Sequence, residues 1–282
     1  MKTYLRTALM VLIATVLISA SSALAQVCGS ADIPCKIPEG TYHVMMPPDG
    51  EIKGAVVLLH GGGGTGKGLL KTNMASRSLK RGFVFIAPNG FHPTARFKNN
   101  WAVRAKNFGH EIDDIKFLNA VMDDVAKNRN VDRNKFLLAG FSRGGSMVWD
   151  IACFAPNSAR AYAPSAGAFW DDLPQKCEGP VDLFHAHGWN DRTVPLEGRP
   201  IFNGKVAQGD VWQSLRILRE ANGCINRQPA SSEIKEGQWW RHWSDCKSGK
   251  VIDLMLHDGG HGTAKNWAVT TLNWFEDRLG DN

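Results

Sequence analysis

The sequence predicts an α/β fold, a mostly parallel central sheet with helices on both faces, in a single domain. Residues 55–60 (AVVLLH) and 83–88 (FVFIAP) are short continuous apolar runs, which are typical of buried parallel strands. Between residues 112 and 125 the apolar positions recur every three or four residues, which predicts an amphipathic helix. Strands that alternate with helices in this way favour a parallel sheet.

The remaining elements continue the alternation. Further strands are predicted at residues 135–141, 160–163, 181–187, 239–243 and 251–257. Further helices are predicted at residues 144–153, 206–221 and 267–279. The segment 198–209, which contains Pro200, is predicted to be a loop that covers the site. Because ligands bind beyond the carboxyl ends of parallel strands, the residues that follow each strand are the candidates for chemistry.

Composition excludes several classes of protein. The chain has 282 residues, with 33 Lys and Arg against 27 Asp and Glu, and 43% of it is hydrophobic. These are ordinary globular proportions, which argue against a disordered, collagen-like or multi-span membrane protein. The net charge of +6 is spread out, without a run of five basic residues. We therefore expect no nucleic-acid partner.

The first 25 residues are predicted to be a secretory signal peptide. Lys2 and Arg6 precede a short apolar core, and small residues lead to Ala25. The apolar core is too short to span a bilayer comfortably, so we expect no stable membrane anchor. Cleavage after Ala25 would leave residues 26–282 as one exported domain, either periplasmic or extracellular. The oligomeric state is left open.

All six cysteines follow the predicted cleavage point, and an even number in an exported chain indicates disulfides. Sequence proximity favours the pairs Cys28–Cys35, Cys153–Cys177 and Cys224–Cys246 without fixing them. The close spacing of zinc-binding cysteines is missing. His185 and His187 share one face of a strand and could hold a metal, but no third ligand is evident nearby. We therefore predict no metal site.

A serine nucleophile is predicted where the strand at 135–141 ends. Residues 140–144 read Gly-Phe-Ser-Arg-Gly, a G-x-S-x-G pattern between a strand and a helix. In that context the pattern makes a sharp turn that lifts the hydroxyl of Ser142 above the sheet. The alternative is an ordinary serine in a glycine-rich turn.

A serine becomes nucleophilic only with a base and an acid that orients the base. Asp191 follows the strand at 181–187, and His261 follows the strand at 251–257. The chain order Ser, Asp, His, with one residue after each strand, predicts that Ser142, Asp191 and His261 are catalytic. The competing residues are Asp258 and Asp171 for the acid and His257 for the base.

The first apolar strand runs into four glycines, which predict an oxyanion hole. Acyl transfer builds negative charge on the carbonyl oxygen, and backbone N–H groups that face this oxygen lower the barrier. The predicted donors are the N–H groups of Gly62 and Arg143. A phosphate-binding loop is the rival hypothesis, because residues 61–67 nearly match its pattern. Gly68, however, stands where a magnesium-binding hydroxyl is required.

The motifs H-G-G-G-G, G-F-S-R-G-G-S-M, H-G-x-x-D-x-x-V-P and G-G-H occur in this order. In combination they resemble the secreted polyhydroxybutyrate depolymerase-like esterases, which are related to feruloyl and acetylxylan esterases of the α/β-hydrolase superfamily. The resemblance spans roughly residues 28–279. It implies a serine carboxylesterase with an α/β-hydrolase catalytic domain over 26–282 and without metal or cofactor. It also implies the roles of nucleophile, acid and base for Ser142, Asp191 and His261, and a pairing of Cys224 with Cys246.

The substrate is expected to be a small-molecule or oligomeric ester, such as a hydroxybutyrate oligomer, a feruloyl ester or an acetylated sugar. Trp101, Trp170 and Trp189 follow strand-end regions and are candidates for substrate binding, with core packing as the alternative. The side chain of Arg143 could meet a substrate carboxylate or form a structural salt bridge. Two other hypotheses are a serine peptidase of the same fold and a non-catalytic exported binding protein.

Overall fold

The structure, a computed structural model, describes residues 28–48, 50–91, 98–104 and 113–280. The strands are β1 (Cys35–Ile37), β2 (Gly40–Met45), β3 (Gly54–Leu59), β4 (Phe83–Pro88), β5 (Phe136–Phe141), β6 (Ala161–Ser165), β7 (Leu183–Gly188), β8 (Arg199–Ile201), β9 (Val206–Gln208), β10 (Ser231–Lys235), β11 (Gln238–Trp243) and β12 (Ile252–His257). The α-helices are α1 (Gly66–Leu69), α2 (Asn73–Lys80), α3 (Asp114–Asn128), α4 (Arg143–Phe154), α5 (Val211–Asn222) and α6 (Trp267–Gly280).

Ten of the strands form one sheet in the order β1-β2-β4-β3-β5-β6-β7-β12-β11-β10. Its six central strands, from β4 to β12 in that order, run parallel. The strands at the two edges pair antiparallel. The predicted mostly parallel sheet is therefore confirmed. Strands β8 and β9 form a separate antiparallel hairpin.

The sheet is covered on both faces, as the packing of strand β3 shows. Its residues are all buried. Alternate side chains point to opposite faces of a strand, so Val57 packs into one apolar cluster and Val56 into another. The first cluster includes residues of α3, α4 and α5, and the second includes residues of α2 and α6. Burial on both faces explains why such strands are continuous apolar runs.

One predicted helix was wrong at its start. Residues 206–221 were expected to be helical throughout, but residues 206–208 form β9, and α5 begins at Val211. Asp210 caps α5 by accepting a hydrogen bond from the N–H of Gln213 at 2.8 Å. A helix cannot extend through its own N-cap, since the cap residue has an extended backbone. The predicted loop at 198–209 is thus mostly a hairpin.

The six cysteines form three disulfides, Cys28–Cys35, Cys153–Cys177 and Cys224–Cys246. These are the pairs favoured by sequence proximity. Within the described ranges, no helix combines the length and apolar character needed to cross a membrane. The expected signal peptide at 1–25 lies outside the described residues, so it stays a prediction.

Candidate active site

Ser142 occupies the sharp turn between β5 and α4. Its backbone has φ 57° and ψ −120°, in a region that residues with a side chain rarely adopt. The N–H of Ser142 donates to the carbonyl of Ser165 in β6 at 2.9 Å. This bond ties the turn to the neighbouring strand, so the strained backbone is held in place by the sheet.

Two glycines make the turn possible. A Cβ atom on Gly140 would lie 2.4 Å from the carbonyl oxygen of Gly144, and one on Gly144 would lie 2.4 Å from the carbonyl oxygen of Leu59. Atoms cannot approach so closely without moving backbone. Gly140 is therefore required by the contact between β5 and the start of α4, and Gly144 by the contact between the start of α4 and β3.

Ser142, His261 and Asp191 form a chain of hydrogen bonds. The Nε2 atom of His261 is 2.8 Å from Oγ of Ser142, and its Nδ1 atom is 2.7 Å from Oδ2 of Asp191. The ring of His261 also contacts that of Phe141, with 5.1 Å between ring centroids. These contacts fix the imidazole between a hydroxyl and a carboxylate.

The sheet order explains how the three side chains meet. Ser142 follows β5, Asp191 follows β7, and His261 follows β12. Strands β7 and β12 are neighbours, and β6 alone separates β5 from β7. Because these strands are parallel, their carboxyl ends lie at one edge of the sheet.

The carboxylate of Asp191 is held by several donors. Its Oδ1 atom accepts hydrogen bonds from the N–H groups of Thr193 and Val194, both at 2.8 Å. Burial raises the pKa of Asp191, but hydrogen bonds from His187, His261 and Val194 outweigh burial and keep the pKa below the usual range. Asp191 is therefore ionised at neutral pH.

His185 and His187 lie behind Asp191, fully buried. Nδ1 of His185 is 3.1 Å from the carbonyl oxygen of Pro164, and its Nε2 atom is 2.9 Å from Nδ1 of His187. The Nε2 atom of His187 is 2.8 Å from the carbonyl oxygen of Val194 and 3.4 Å from Oδ2 of Asp191. No cluster of three or more potential metal ligands occurs in the described part of the chain.

The competing candidates lie elsewhere. Nδ1 of His257 accepts from the N–H of Gly259 at 3.1 Å, so this ring caps its own loop. The side chain of Asp258 is exposed, and the N–H of Asp171 pairs with the carbonyl of Ala207 at 3.0 Å. Neither carboxylate contacts His261, whose Nδ1 atom already faces Asp191.

The glycine loop after β3 lies beside Ser142. A Cβ atom on Gly61 would be 3.4 Å from Cβ of Ser142, and Gly62 lines the adjacent cavity. The ring of His60 supports the loop, because Nδ1 donates to the carbonyl of Gly61 at 2.8 Å while Nε2 accepts from the N–H of Gly90 at 3.0 Å. Arg143 begins α4, where the positive end of the helix dipole lies.

Ser142 and His261 face a cavity of about 560 Å³. The other residues that line it are Gly61, Gly62, Asn100, Phe141, Arg143, Ser146, Trp170, Thr193, Val194, Arg199, Ile201, Phe202 and Gln208. A cavity of this size is in the usual range for small-molecule sites.

The three candidate tryptophans have different positions. Trp170 lines the cavity, and its Nε1–H donates to Oγ of Ser146 at 3.2 Å. Trp101 is fully buried and lies outside the cavity lining, because its Nε1–H donates to the carbonyl of His60 at 2.8 Å. Trp189 is 56% exposed and also lies outside the lining, where it packs against Trp239. Trp101 thus packs in the interior and Trp189 lies at the surface, and neither lines the cavity.

The side chain of Arg143 is buried in the cavity wall. Its guanidinium carbon lies 4.2 Å from the centre of the Trp170 ring, and its Nε–H donates to the carbonyl of Trp101 at 3.0 Å. Burial lowers the pKa of Arg143 to about 10, while Asp150 and Asp114 oppose the change. Arg143 is therefore charged at neutral pH.

Four lining residues come from the hairpin that sequence analysis did not recognise: Arg199, Ile201, Phe202 and Gln208. The hairpin is attached to the site, because Trp170 and Gln208 form an antiparallel bridge. The one available signal was Pro200 in a segment rich in turn residues, which indicated only a covering loop.

Curated relatives of the chain are fungal esterases. A probable feruloyl esterase C from Aspergillus niger is 29% identical over 186 residues, which are 64% of this chain and 57% of that protein. A feruloyl esterase D from Neurospora crassa is 29% identical over 189 residues, 64% of this chain and 54% of that protein. A bifunctional acetylxylan esterase/xylanase from Neocallimastix patriciarum is 28% identical over 199 residues, 67% of this chain and 26% of that protein. The chain thus spans little more than half the length of the feruloyl esterases that it matches.

Solved structures with the same architecture include an acetyl xylan esterase from Aspergillus awamori, with a TM-score of 0.64 and 15% identity. The match covers 84% of this chain and 93% of that one. A Bacillus cereus carboxylesterase matches over the same shares, with a TM-score of 0.57 and 15% identity. The chain has the α/β-hydrolase fold. The predicted resemblance of the chain to feruloyl and acetylxylan esterases is confirmed, although no protein-family model matches the sequence.

Proposed function

We propose that this chain is a carboxylic ester hydrolase that works through an acyl-enzyme on Ser142. The observation that carries the proposal is the hydrogen-bond chain from Ser142 through His261 to Asp191 at the edge of the cavity. The names of the curated relatives support an ester as the bond that is cleaved.

The first half of the reaction forms the acyl-enzyme. Oγ of Ser142 bonds to the ester carbonyl carbon while Nε2 of His261 takes the hydroxyl proton. The tetrahedral intermediate then expels the alcohol, which receives that proton from His261. Asp191 accepts a hydrogen bond from Nδ1–H of His261 and stabilises the imidazolium while it exists.

The second half releases the acid. A water molecule gives a proton to His261 and attacks the acyl carbon. Ser142 then leaves with the proton that His261 returns, and the free enzyme is restored. The N–H groups of Gly62 and Arg143 are the proposed donors to the oxyanion in both halves, each worth roughly 10²–10³ in rate.

The decisive experiment is Ser142→Ala with short p-nitrophenyl esters as substrates. We expect kcat to fall by at least about 10⁴-fold, because the acyl-enzyme can no longer form. Circular dichroism checks that the variant folds, and Ser76→Ala on the exposed side of α2 is the matched control with full activity. Retained hydrolysis by purified S142A refutes the proposal.

A fluorophosphonate probe separates an enzyme from a binding protein on the same scaffold. We expect the wild-type protein, and not S142A, to be labelled at residue 142. A panel of hydroxybutyrate oligomers, methyl ferulate, acetylated xylan, short acyl esters and a peptide anilide then ranks the substrate classes. Cleavage of the anilide in preference to every ester would favour a peptidase.

We also propose that the protein is exported after cleavage following Ala25. The charged start, the apolar core and the small residues before Ala25 carry this proposal, and three disulfides support an oxidising compartment. Mass spectrometry of the secreted product tests it, with Gln26 as the expected first residue. An intact N-terminus in the exported fraction contradicts it.

A further inference from the structure

One wall of the cavity carries two guanidinium groups. Arg143 stacks on Trp170 at 4.2 Å, Trp170 bridges to Gln208, and Oε1 of Gln208 accepts a hydrogen bond from Nε of Arg199 at 3.1 Å. None of the described residues that line the cavity is acidic. The buried carboxylate of Asp191 faces His261 rather than this wall.

Arg199 is the accessible cation of the two. It is exposed, it lines the cavity, and β8–β9 pairing sets it opposite Gln208. None of the described acidic side chains forms an ion pair with it, and its hydrogen bond to Gln208 uses Nε. The two terminal nitrogens therefore retain the geometry that suits a planar carboxylate.

The rest of the lining is largely apolar and includes Phe141, Val194, Ile201 and Phe202. Such surroundings suit a substrate with an apolar body and one anionic end.

We propose that the cavity selects esters that carry a carboxylate remote from the scissile bond, and that Arg199 binds this carboxylate. The inference rests on the proposed ester hydrolysis and names its substrate class. Arg143 adds positive charge from within the wall, partly offset by the buried carboxyl groups of Asp114 and Asp150. Gln208 is a positioning residue, because it holds Arg199.

The test uses two pairs of probes that differ only in charge. On the acyl side, mono-4-nitrophenyl adipate is compared with its terminal carboxamide. On the alcohol side, 4-carboxyphenyl butyrate is compared with 4-carbamoylphenyl butyrate. The readout is the ratio of kcat/KM for carboxylate over carboxamide in each pair, so that intrinsic reactivity cancels between variants.

We expect Arg199→Gln to lower this ratio by roughly three- to tenfold in one of the pairs. Arg199→Lys should lower the ratio less, since lysine keeps the positive charge but lacks the two terminal guanidinium nitrogens that bind a carboxylate. The pair that responds tells which side of the ester lies at the hairpin. Arg216→Gln, which removes an exposed arginine of α5, is the control with an unchanged ratio. The wild-type ratio should also fall as salt is added.

Gln208→Met tests the positioning role. Methionine fills a similar volume but cannot accept the Nε hydrogen bond, so we expect a smaller loss of the ratio than in R199Q. Equal ratios for wild type and R199Q in both pairs overturn the inference while ester hydrolysis stands. Failure to hydrolyse any of the four probes would instead point against the proposed function.

A second, independent inference concerns the proton count of the His185–His187 pair. Three short contacts link the carbonyl of Pro164, the two rings and the carbonyl of Val194. Each contact needs one N–H, and the carbonyl oxygens can only accept. Two neutral imidazoles supply only two N–H groups, whereas the three contacts need three. The pair therefore needs one more proton than two neutral rings carry.

We infer that the pair holds an extra proton, on His187, and that this buried cation positions Asp191. The assignment to His187 follows from geometry, because Nε2 of His187 lies 3.4 Å from Oδ2 of Asp191. His185 then keeps its proton on Nδ1, which faces the carbonyl of Pro164. Burial and the neighbouring His187 both lower the pKa of His185, consistent with a neutral ring there.

Nitrogen-15 NMR of the histidine-labelled full chain tests the count. We expect two protonated ring nitrogens on His187 and one on His185. Asp191→Asn, which removes the counter-charge, should leave each ring with a single N–H, whereas Asp258→Asn should change nothing. Two neutral rings in the wild-type protein overturn the inference.

Discussion

The carboxylate of Asp191 is the residue-scale feature on which the proposed chemistry depends most. Asp191→Asn keeps the size of the side chain but can present an N–H to Nδ1 of His261, which favours the wrong tautomer. We expect kcat for short esters to fall on the order of 10⁴-fold. Steady-state kinetics on the purified variant measures this.

Asp258→Asn is the matched control, because Asp258 is one of the two competing candidates for the acid and its side chain is exposed. We expect near wild-type kcat for this variant. If D258N were the inactive variant and D191N the active one, the acid in the proposed mechanism would be misassigned.

The buried carboxyl of Asp150 makes the stability of the protein depend on pH. It accepts from the N–H of Arg104 at 2.7 Å, yet burial raises its pKa to about 7. A carboxyl with a raised folded-state pKa binds protons more tightly when folded, so stability rises as pH falls from about 8 toward the unfolded pKa. Between about pH 8 and 5.5 we expect a gain of about 2 kcal/mol from this group.

Urea unfolding at several pH values measures that gain. Asp150→Asn should flatten the dependence, because an amide does not titrate. Asp277→Asn, an exposed site on α6, should leave the dependence as in the wild type. A D150N protein with the full wild-type slope would assign the effect to other groups.

At this scale the sequence predicts candidate residues but not the distances between their side chains. Ser142, Asp191 and His261 were nominated because each follows a predicted strand, and their catalytic roles stay a prediction. The tryptophans show the limit. Position after a strand end does not tell whether an indole turns to the cavity, as at Trp170, or into the interior, as at Trp101.

At the scale of elements, the close contact between α4 and β3 yields a sharp expectation. Gly144→Ala would place a Cβ 2.4 Å from the carbonyl oxygen of Leu59, so the start of α4 must shift. We expect the free energy of unfolding to fall by about 1–3 kcal/mol. Most of the proposed esterase activity should also be lost, since Ser142 directly precedes α4. Urea unfolding and ester kinetics report the two effects.

Gly280→Ala is the control, since no heavy atom of the described residues lies within 4 Å of a Cβ at that position of α6. Alanine also has the higher helix propensity. The free energy of unfolding of G280A should match or exceed that of the wild type. Equal stability of G144A and G280A would mean that the contact with β3 is softer than the structure indicates.

Long elements were predicted well, and short ones were not. The strand at 83–88 and the helix at 267–279 agree closely with β4 and α6, because a buried run and a long amphipathic repeat are strong patterns. The hairpin of β8 and β9 was missed, since three-residue strands are too short to show an alternation. Residues 206–208, which form β9, fall within the helix predicted at 206–221.

At the scale of the whole molecule, the disulfides differ in the loops that they close. Cys153 and Cys177 are separated by 24 residues, and Cys28 and Cys35 by 7. A longer loop removes more entropy from the unfolded chain when it is closed. We expect Cys153→Ala with Cys177→Ala to cost about 3 kcal/mol, and Cys28→Ala with Cys35→Ala to cost about 2 kcal/mol.

Urea unfolding of the two double variants, without reductant, measures both costs. The reduced wild-type protein should be less stable than either variant, because it lacks all three bonds. A larger loss for the short loop than for the long one would show that packing at the cysteines, rather than chain entropy, sets the cost.

Sheet order could not be predicted from the sequence. Local patterns indicate that a strand exists, but the crossover that puts β12 next to β7 depends on contacts between distant parts of the chain. The alternation of strands and helices predicts the mostly parallel architecture. It does not predict that the strands at the two edges of the sheet pair antiparallel.

The stretch of chain between Asp191 and His261 contains the hairpin, α5 and the outer strands β10 and β11. Its two ends are anchored side by side, because β7 and β12 are hydrogen-bonded neighbours. The β8–β9 portion of this stretch could thus be exchanged for that of another esterase. Such an exchange would change substrate recognition and leave Ser142, Asp191 and His261 in place. Substrate range and chemistry would then evolve as separate modules of one chain.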